Sequence, residues 1–197
     1  EHLAQALGVA LDSRAWGGAT TGQANILATS GPVAGTGVQG QVAQYLGEQP
    51  GAQVDAGALY VLWAGANDLV LNPATAVSQQ AAGQLMQALD TLYAAGARYF
   101  LVPQMPDLSI TPRARQREGD TPGYITDAKR YSEQFASVLE RGLDTMRALY
   151  PNARIMSFPT MSFLRDEVDK AVARGINVKD ACHPGGLNLT QFEDRPV

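Results

Sequence analysis

The residues with the clearest potential for chemistry follow a short apolar run near residue 60. Residues 59–63 read Leu-Tyr-Val-Leu-Trp, and the sequence Gly65-Ala66-Asn67-Asp68 follows after a single alanine. Such a run is typical of a strand buried on both faces of a parallel sheet, and α/β proteins bind ligands at the carboxyl ends of these strands. The neutral amide of Asn67 could donate hydrogen bonds to a developing oxyanion there without needing a particular pH. Asp68 is expected to brace the loop.

These residue types also have a simpler interpretation. Asn and Asp often form turns after strands, so Asn67 and Asp68 could be structural. The upstream pair Gly17-Gly18 presents the same choice. A glycine allows the backbone to approach a substrate closely and to adopt a positive φ, but a glycine pair alone is also typical of an ordinary turn. The residues alone leave both interpretations open.

Three ordered segments resemble the SGNH, or GDSL-type, serine esterases and lipases. Residues 59–69 resemble the block whose asparagine supplies an oxyanion-hole donor, a role that falls here on Asn67. Residues 16–22 resemble the preceding block, whose glycine offers its backbone N–H to the same oxyanion, and Gly18 aligns with it. Residues 100–112 resemble the next strand and loop of the larger bacterial and plant-like lipases. The resemblance implies hydrolysis of small-molecule or lipid esters through an acyl-serine intermediate.

The nucleophile that this resemblance implies is missing from the sequence. The Gly-Asp-Ser-Leu block of the family should precede residues 16–22, but none of the eight serines has that context or the Gly-x-Ser-x-Gly context of α/β-hydrolases. We therefore expect a fragment, truncated at both ends, that retains the scaffold and does not hydrolyse esters on its own. The alternative is a non-catalytic binding or structural module on the same fold.

A second motif near the C-terminus has two interpretations. Asp180-Ala181-Cys182-His183-Pro184 matches the family's Asp-x-x-His-Pro pattern, in which His is the general base and Asp assists it. However, Gly185-Gly186-Leu187-Asn188 follows where the family has a Thr and an anchoring helix, and no apolar strand directly precedes Asp180. Residues 163–182 also resemble the lipase segment in which a Gly-containing stretch leads to a Thr-Asp-x-Cys-like loop before the true Asp-x-x-His, and there Cys182 would pair with a cysteine further downstream. These observations favour the loop interpretation of residues 180–184, and the acid–base pair of Asp180 and His183 remains the alternative.

Composition excludes several other classes. A length of 197 residues with 45% hydrophobic residues suits a single domain over residues 1–197. The net charge of −4 and scattered basic residues argue against nucleic-acid binding, and no apolar run approaches a membrane span of about 18–20 residues.

A flavin or nucleotide site at the Gly-x-Gly-x-x-Gly match, residues 35–40, is disfavoured because Pro32 interrupts the strand that should precede it. No cofactor or metal is expected, and the family resemblance implies export.

The remaining pattern is an alternation of strands and helices. Apolar positions predict strands at residues 59–63, 98–102 and 153–158, and helices at residues 3–7, 38–46, 74–95, 131–149 and 163–173, with a Pro-rich loop over residues 105–123. This alternation predicts repeated βαβ units. With the resemblance, it predicts an α/β fold: a three-layer α/β/α sandwich with a parallel, flavodoxin-like sheet that lacks its first strand.

Overall fold

Strands and helices alternate along the chain as predicted. The computed structural model describes residues 2–27 and 33–181. In chain order the elements are α1 (His2–Leu7), α2 (Val38–Glu48), β1 (Leu59–Val61), α3 (Ala66–Leu71), α4 (Thr75–Ala94), β2 (Tyr99–Pro103), α5 (Pro112–Asp120), α6 (Tyr124–Leu149), β3 (Arg154–Phe158) and α7 (Thr160–Ala173). Single turns of 3₁₀-helix occur at Pro50–Ala52 and Leu108–Ile110.

The three strands form one parallel sheet in the order β1-β2-β3. Tyr60 pairs with Phe100, and Phe100 pairs with Ile155, so the strands are in register across the sheet. Each strand is joined to the next through a long helix, α4 or α6, as a parallel connection requires. The predicted α/β class with a parallel sheet is therefore confirmed.

The hydrophobic core lies between this sheet and the two long helices. Leu85 and Leu89 of α4 pack with Phe135 and Leu139 of α6, and the aromatic ring of Phe100 lies in the same buried cluster. In each helix these residues are four apart, so they share one face. At Gly142 of α6 the side chain of Met86 from α4 occupies the space that a Cβ would need, so the two helices pack together there without a side chain on α6.

The opposite face of the sheet is partly open in the described residues. β1 was expected to be buried on both faces, and this expectation is wrong for its odd-numbered positions. Alternate side chains of a strand point to opposite faces, so those that turn away from α4 and α6 remain accessible. The side chains exposed on this face are Leu59, Val61, Trp63, Tyr99, Met156 and Phe158, with accessible fractions between 36% and 58%.

The expected loop over residues 105–123 contains a helix that the sequence interpretation missed. Thr111 caps α5 through its hydroxyl, which accepts a hydrogen bond from the Ala114 N–H at 3.2 Å, and Pro112 occupies the first helical turn. Both are ordinary start signals for a helix. α6 also begins at Tyr124, seven residues before the expected start at residue 131, with Gly123 in a left-handed conformation ahead of it.

Candidate functional site

Asn67 lies just beyond the carboxyl end of β1, in the first turn of α3. The chain enters that helix through Gly65, whose φ of +121° disfavours other residues. A Cβ at this position would also lie only 2.6 Å from the ring of Phe135, a core residue of α6. Backbone conformation and packing therefore both require the glycine that precedes Asn67.

The structure brings Asn67 next to the segment that follows Gly18. The Asn67 Nδ2 donates a hydrogen bond of 2.8 Å to the carbonyl oxygen of Ala19, although the two residues are 48 positions apart in sequence. An amide nitrogen carries two protons, so this bond leaves the second one for another acceptor. The two residues expected at the oxyanion hole are thus joined through the residue next to Gly18.

Gly18 has a conformation and surroundings that exclude a side chain. Its φ is +80°, and a Cβ would lie 2.5 Å from both the Asn25 Oδ1 and the Leu27 Cγ. Within residues 2–27 and 33–181 the Gly18 N–H makes no hydrogen bond. Asn25 and Leu27 therefore pack against Gly18 and limit its movement. The Gly18 N–H has no hydrogen-bond acceptor among these residues.

Replacing Gly18 with alanine is expected to lower the free energy of unfolding by about 2–5 kcal/mol. A left-handed conformation costs an alanine about 1–2 kcal/mol, and overpacking adds about 1–3 kcal/mol. Urea unfolding measures the change. Gly17→Ala is the matched control, because nothing lies within 4 Å of a Cβ there. Equal stability of the two variants would show that neither backbone conformation nor packing excludes a side chain at Gly18.

The loop behind Gly18 is organised by Asn25, which the sequence interpretation did not identify. Its buried Nδ2 donates to the Gly17 carbonyl and to the Thr36 hydroxyl, both at 2.9 Å, and its Oδ1 accepts from the Leu27 N–H at 2.9 Å. A single bridge also pairs Ala19 with Asn25. Nothing in the local sequence distinguishes this asparagine from a surface loop residue, because its partners are set by the folded loop.

Asp68 binds Thr21, two residues after the Ala19 carbonyl that Asn67 contacts. Its carboxylate accepts hydrogen bonds from the Thr21 N–H at 3.1 Å and from the Thr21 hydroxyl at 2.7 Å. Thr21 is fully buried. Burial raises the pKa of the Asp68 carboxyl above its ordinary value of 3.8, although the hydrogen bonds from Thr21 act in the opposite direction. The expectation that Asp68 braces the loop agrees with these contacts.

This raised pKa makes a prediction about stability and pH. The folded state binds the Asp68 proton more tightly than the unfolded chain does, so the stability from this group is fully present below pH 3.8 and is lost as the pH rises through the folded-state pKa. We expect the unfolding free energy of the wild type minus that of Asp68→Asn to decrease as the pH is raised from about 3 to 7. Urea unfolding at constant ionic strength tests this, and a difference independent of pH would contradict it.

Of the motif at residues 180–184, the structure describes Asp180 and Ala181. Asp180 is exposed and accepts a hydrogen bond of 2.7 Å from the Asn177 side chain. His183 and Cys182 lie outside the described residues, so the structure tests neither the pairing of His183 with Asp180 nor the expected disulfide of Cys182. Two buried serines, Ser78 and Ser132, donate hydrogen bonds to backbone carbonyls of α6 and contribute to helix packing.

Two glycines of the Gly-x-Gly-x-x-Gly match, Gly37 and Gly40, have packing roles. A Cβ at Gly37 would lie 2.3 Å from the Gly22 carbonyl oxygen, and a Cβ at Gly40 would lie 1.8 Å from the Gly35 carbonyl oxygen. The absence of side chains lets the start of α2 pack against residues 20–24, where the Val38 N–H donates to the Thr20 carbonyl. Close packing at the start of α2 is sufficient to explain both glycines.

The fold and site define a parallel α/β protein with polar side chains gathered beyond the carboxyl end of β1. The chain belongs to the family described as GDSL-like lipase/acylhydrolase, whose model matches residues 1–187. This confirms the SGNH/GDSL resemblance and identifies the chain as an ester-hydrolase scaffold, with small-molecule esters as the corresponding substrate class. A search of curated proteins finds no match to the chain.

Helices α4 and α6 are the longest, but no helix of residues 2–27 and 33–181 combines the length and apolar character needed to cross a bilayer. In the same ranges no three His, Cys, Asp or Glu side chains are grouped as metal ligands.

Proposed function

We propose that this chain provides the oxyanion-binding part of a carboxylic ester hydrolase that works through an acyl-serine intermediate. When a serine hydroxyl attacks an ester carbonyl, its proton passes to a base and the carbonyl oxygen becomes an oxyanion. The Gly18 N–H and the second proton of the Asn67 amide would donate hydrogen bonds to that oxygen. Neutral donors suit this task because they do not change charge with pH.

The observation that carries this proposal is the hydrogen bond between Asn67 and Ala19. It places the amide beside the residue that follows Gly18, at a distance of 2.8 Å between Nδ2 and the carbonyl oxygen. The packing of Asn25 and Leu27 against Gly18 supports the same interpretation, because a donor that is already held in place needs no reorganisation during the reaction. The nucleophilic serine and the base are not assigned to described residues.

The proposal is tested on the product of the complete open reading frame that contains this sequence. We expect it to hydrolyse 4-nitrophenyl esters and to react with a fluorophosphonate probe at one serine, which mass spectrometry identifies. The polypeptide of residues 1–197 alone should neither hydrolyse the esters nor react with the probe. Hydrolysis by residues 1–197 would instead show that one of the eight serines within them acts as nucleophile.

The competing function is a non-catalytic module that has the scaffold without the reaction. It is favoured by the absence of a Gly-Asp-Ser sequence among residues 1–197. The same experiment separates the two functions, because a module would give no ester turnover and no probe-labelled serine in the product of the complete reading frame. Folding of that product, checked by circular dichroism, makes such a negative result interpretable.

A further inference from the structure

Two neighbouring polar residues of α3 hold the segment that follows Gly18. Asn67 and Asp68 are neighbours in α3, and each holds a different residue of one short segment. Asn67 binds the Ala19 carbonyl, and Asp68 binds both the N–H and the hydroxyl of Thr21. Gly18 directly precedes this doubly held segment, so its distance from Asn67 depends on both attachments.

We propose that Asp68 is a positioning residue for the oxyanion donors, acting through Thr21. This inference rests on the proposed function, since it concerns how the two donors of that site are held at a fixed separation. A short hydrogen bond to a carboxylate is stronger than one between neutral groups, and Thr21 is fully buried with its N–H directed at the carboxylate. Loss of the Asp68 carboxylate would leave that N–H without an acceptor and would leave the Asn67–Ala19 hydrogen bond as the remaining side-chain attachment of the segment to α3.

Helix α4 also contacts Thr21, through the side chain of Gln84. The Oε1 of Gln84, from α4, lies 2.6 Å from the Thr21 hydroxyl oxygen, which is also 2.7 Å from the Asp68 Oδ1. A hydroxyl has one proton and cannot donate to both oxygens at once. Rotating the Gln84 amide by half a turn lets its Nε2 donate to the hydroxyl, which then donates to Asp68. Thr21 thus connects the segment to α3 and α4 together.

The simplest competing role for Asp68 is to stabilise the start of α3. Asp68 lies in the first turn, where a negative charge interacts favourably with the helix dipole. That role would affect folding stability and would not act specifically on the transition state. A positioning role predicts that kcat decreases while KM changes little, because the oxyanion exists only after the attack on the carbonyl.

The test is a double-mutant cycle on the product of the complete reading frame. We expect Asp68→Ala to lower kcat by about 10- to 100-fold with KM within about twofold, because small displacements of catalytic groups have effects of this size. Thr21→Val, which removes the hydroxyl only, should give a smaller decrease. Asp144→Asn, an exposed carboxylate on α6, is the matched control and should leave kcat unchanged.

A double variant distinguishes a positioning role of Asp68 from a role in stabilising the start of α3. If Asp68 acts through Thr21, Thr21→Val/Asp68→Ala should lose little more activity than Asp68→Ala alone, and Asp68→Asn, which keeps one acceptor oxygen, should restore part of the kcat. Multiplicative losses, or a loss of stability in urea with unchanged kcat, would overturn the inference. If Asn67→Ala itself leaves kcat unchanged, the proposed function fails, and that result is distinguishable from failure of the Asp68 link.

Discussion

Replacing Asn67 with alanine is expected to lower the kcat of the complete protein for ester hydrolysis by about 10²–10³, which is the typical effect of removing one oxyanion-hole donor. The amide is needed after the carbonyl oxygen has become negatively charged, so binding of the uncharged ester should change little. We therefore expect KM to remain within about threefold of the wild-type value, with nearly the whole loss in kcat. Steady-state kinetics with a 4-nitrophenyl ester measure both constants.

Two comparisons separate lost chemistry from lost structure in this experiment. Asn67→Ala also removes the hydrogen bond to the Ala19 carbonyl, so part of any loss could come from movement of the Gly18 segment. Asn152→Ala, at an exposed turn after α6, controls for the removal of an amide elsewhere. Urea unfolding of both variants gives the stability change, which for one neutral hydrogen bond is about 0.5–1.5 kcal/mol. Normal kcat in Asn67→Ala would refute the assigned donor role.

Periodicity in the sequence predicts the elements because side-chain spacing reflects burial directly. The intervals of three and four in α4 and the apolar run before Pro103 specify one helix and one strand, and both occur within a residue or two of the expected bounds. α5 was missed for the opposite reason. Pro112–Asp120 contains one buried residue, Ala114, so it has almost no apolar stripe, and its capping residues were the only available signal.

The sequence likewise identifies some residues of the candidate site and misses others. Asn67 and Gly18 could be identified because resemblance to a family assigns roles to short motifs. Asn25, Thr21 and Gln84 could not be, since their importance comes from contacts across 11 to 63 positions of sequence. A polar residue in a loop or on a helix has the same local pattern whether its side chain faces water or binds another polar group within the fold. Tertiary contacts of this kind become visible only in the folded structure.

Replacing Phe135 with alanine is expected to lower the free energy of unfolding by about 3–5 kcal/mol, the usual cost of removing a fully buried aromatic side chain. Phe135 has no accessible surface and packs in the core between α4, α6 and the sheet. Phe163→Ala is the control, because that ring is 47% exposed and should lose much less. Phe135→Leu provides a smaller step if the alanine variant does not fold.

The contact between Phe135 and Gly65 makes this prediction sharper. A Cβ at Gly65 would lie 2.6 Å from the Phe135 ring, so Gly65→Ala combines a steric clash with the strain of a positive φ. Removing the ring relieves the clash and leaves the strain. The double variant Gly65→Ala/Phe135→Ala should therefore be more stable than the sum of the two single losses predicts, by roughly 1–3 kcal/mol. Additive losses would mean that the ring does not limit the space beside the glycine that leads into α3, and so does not help to hold Asn67 in place.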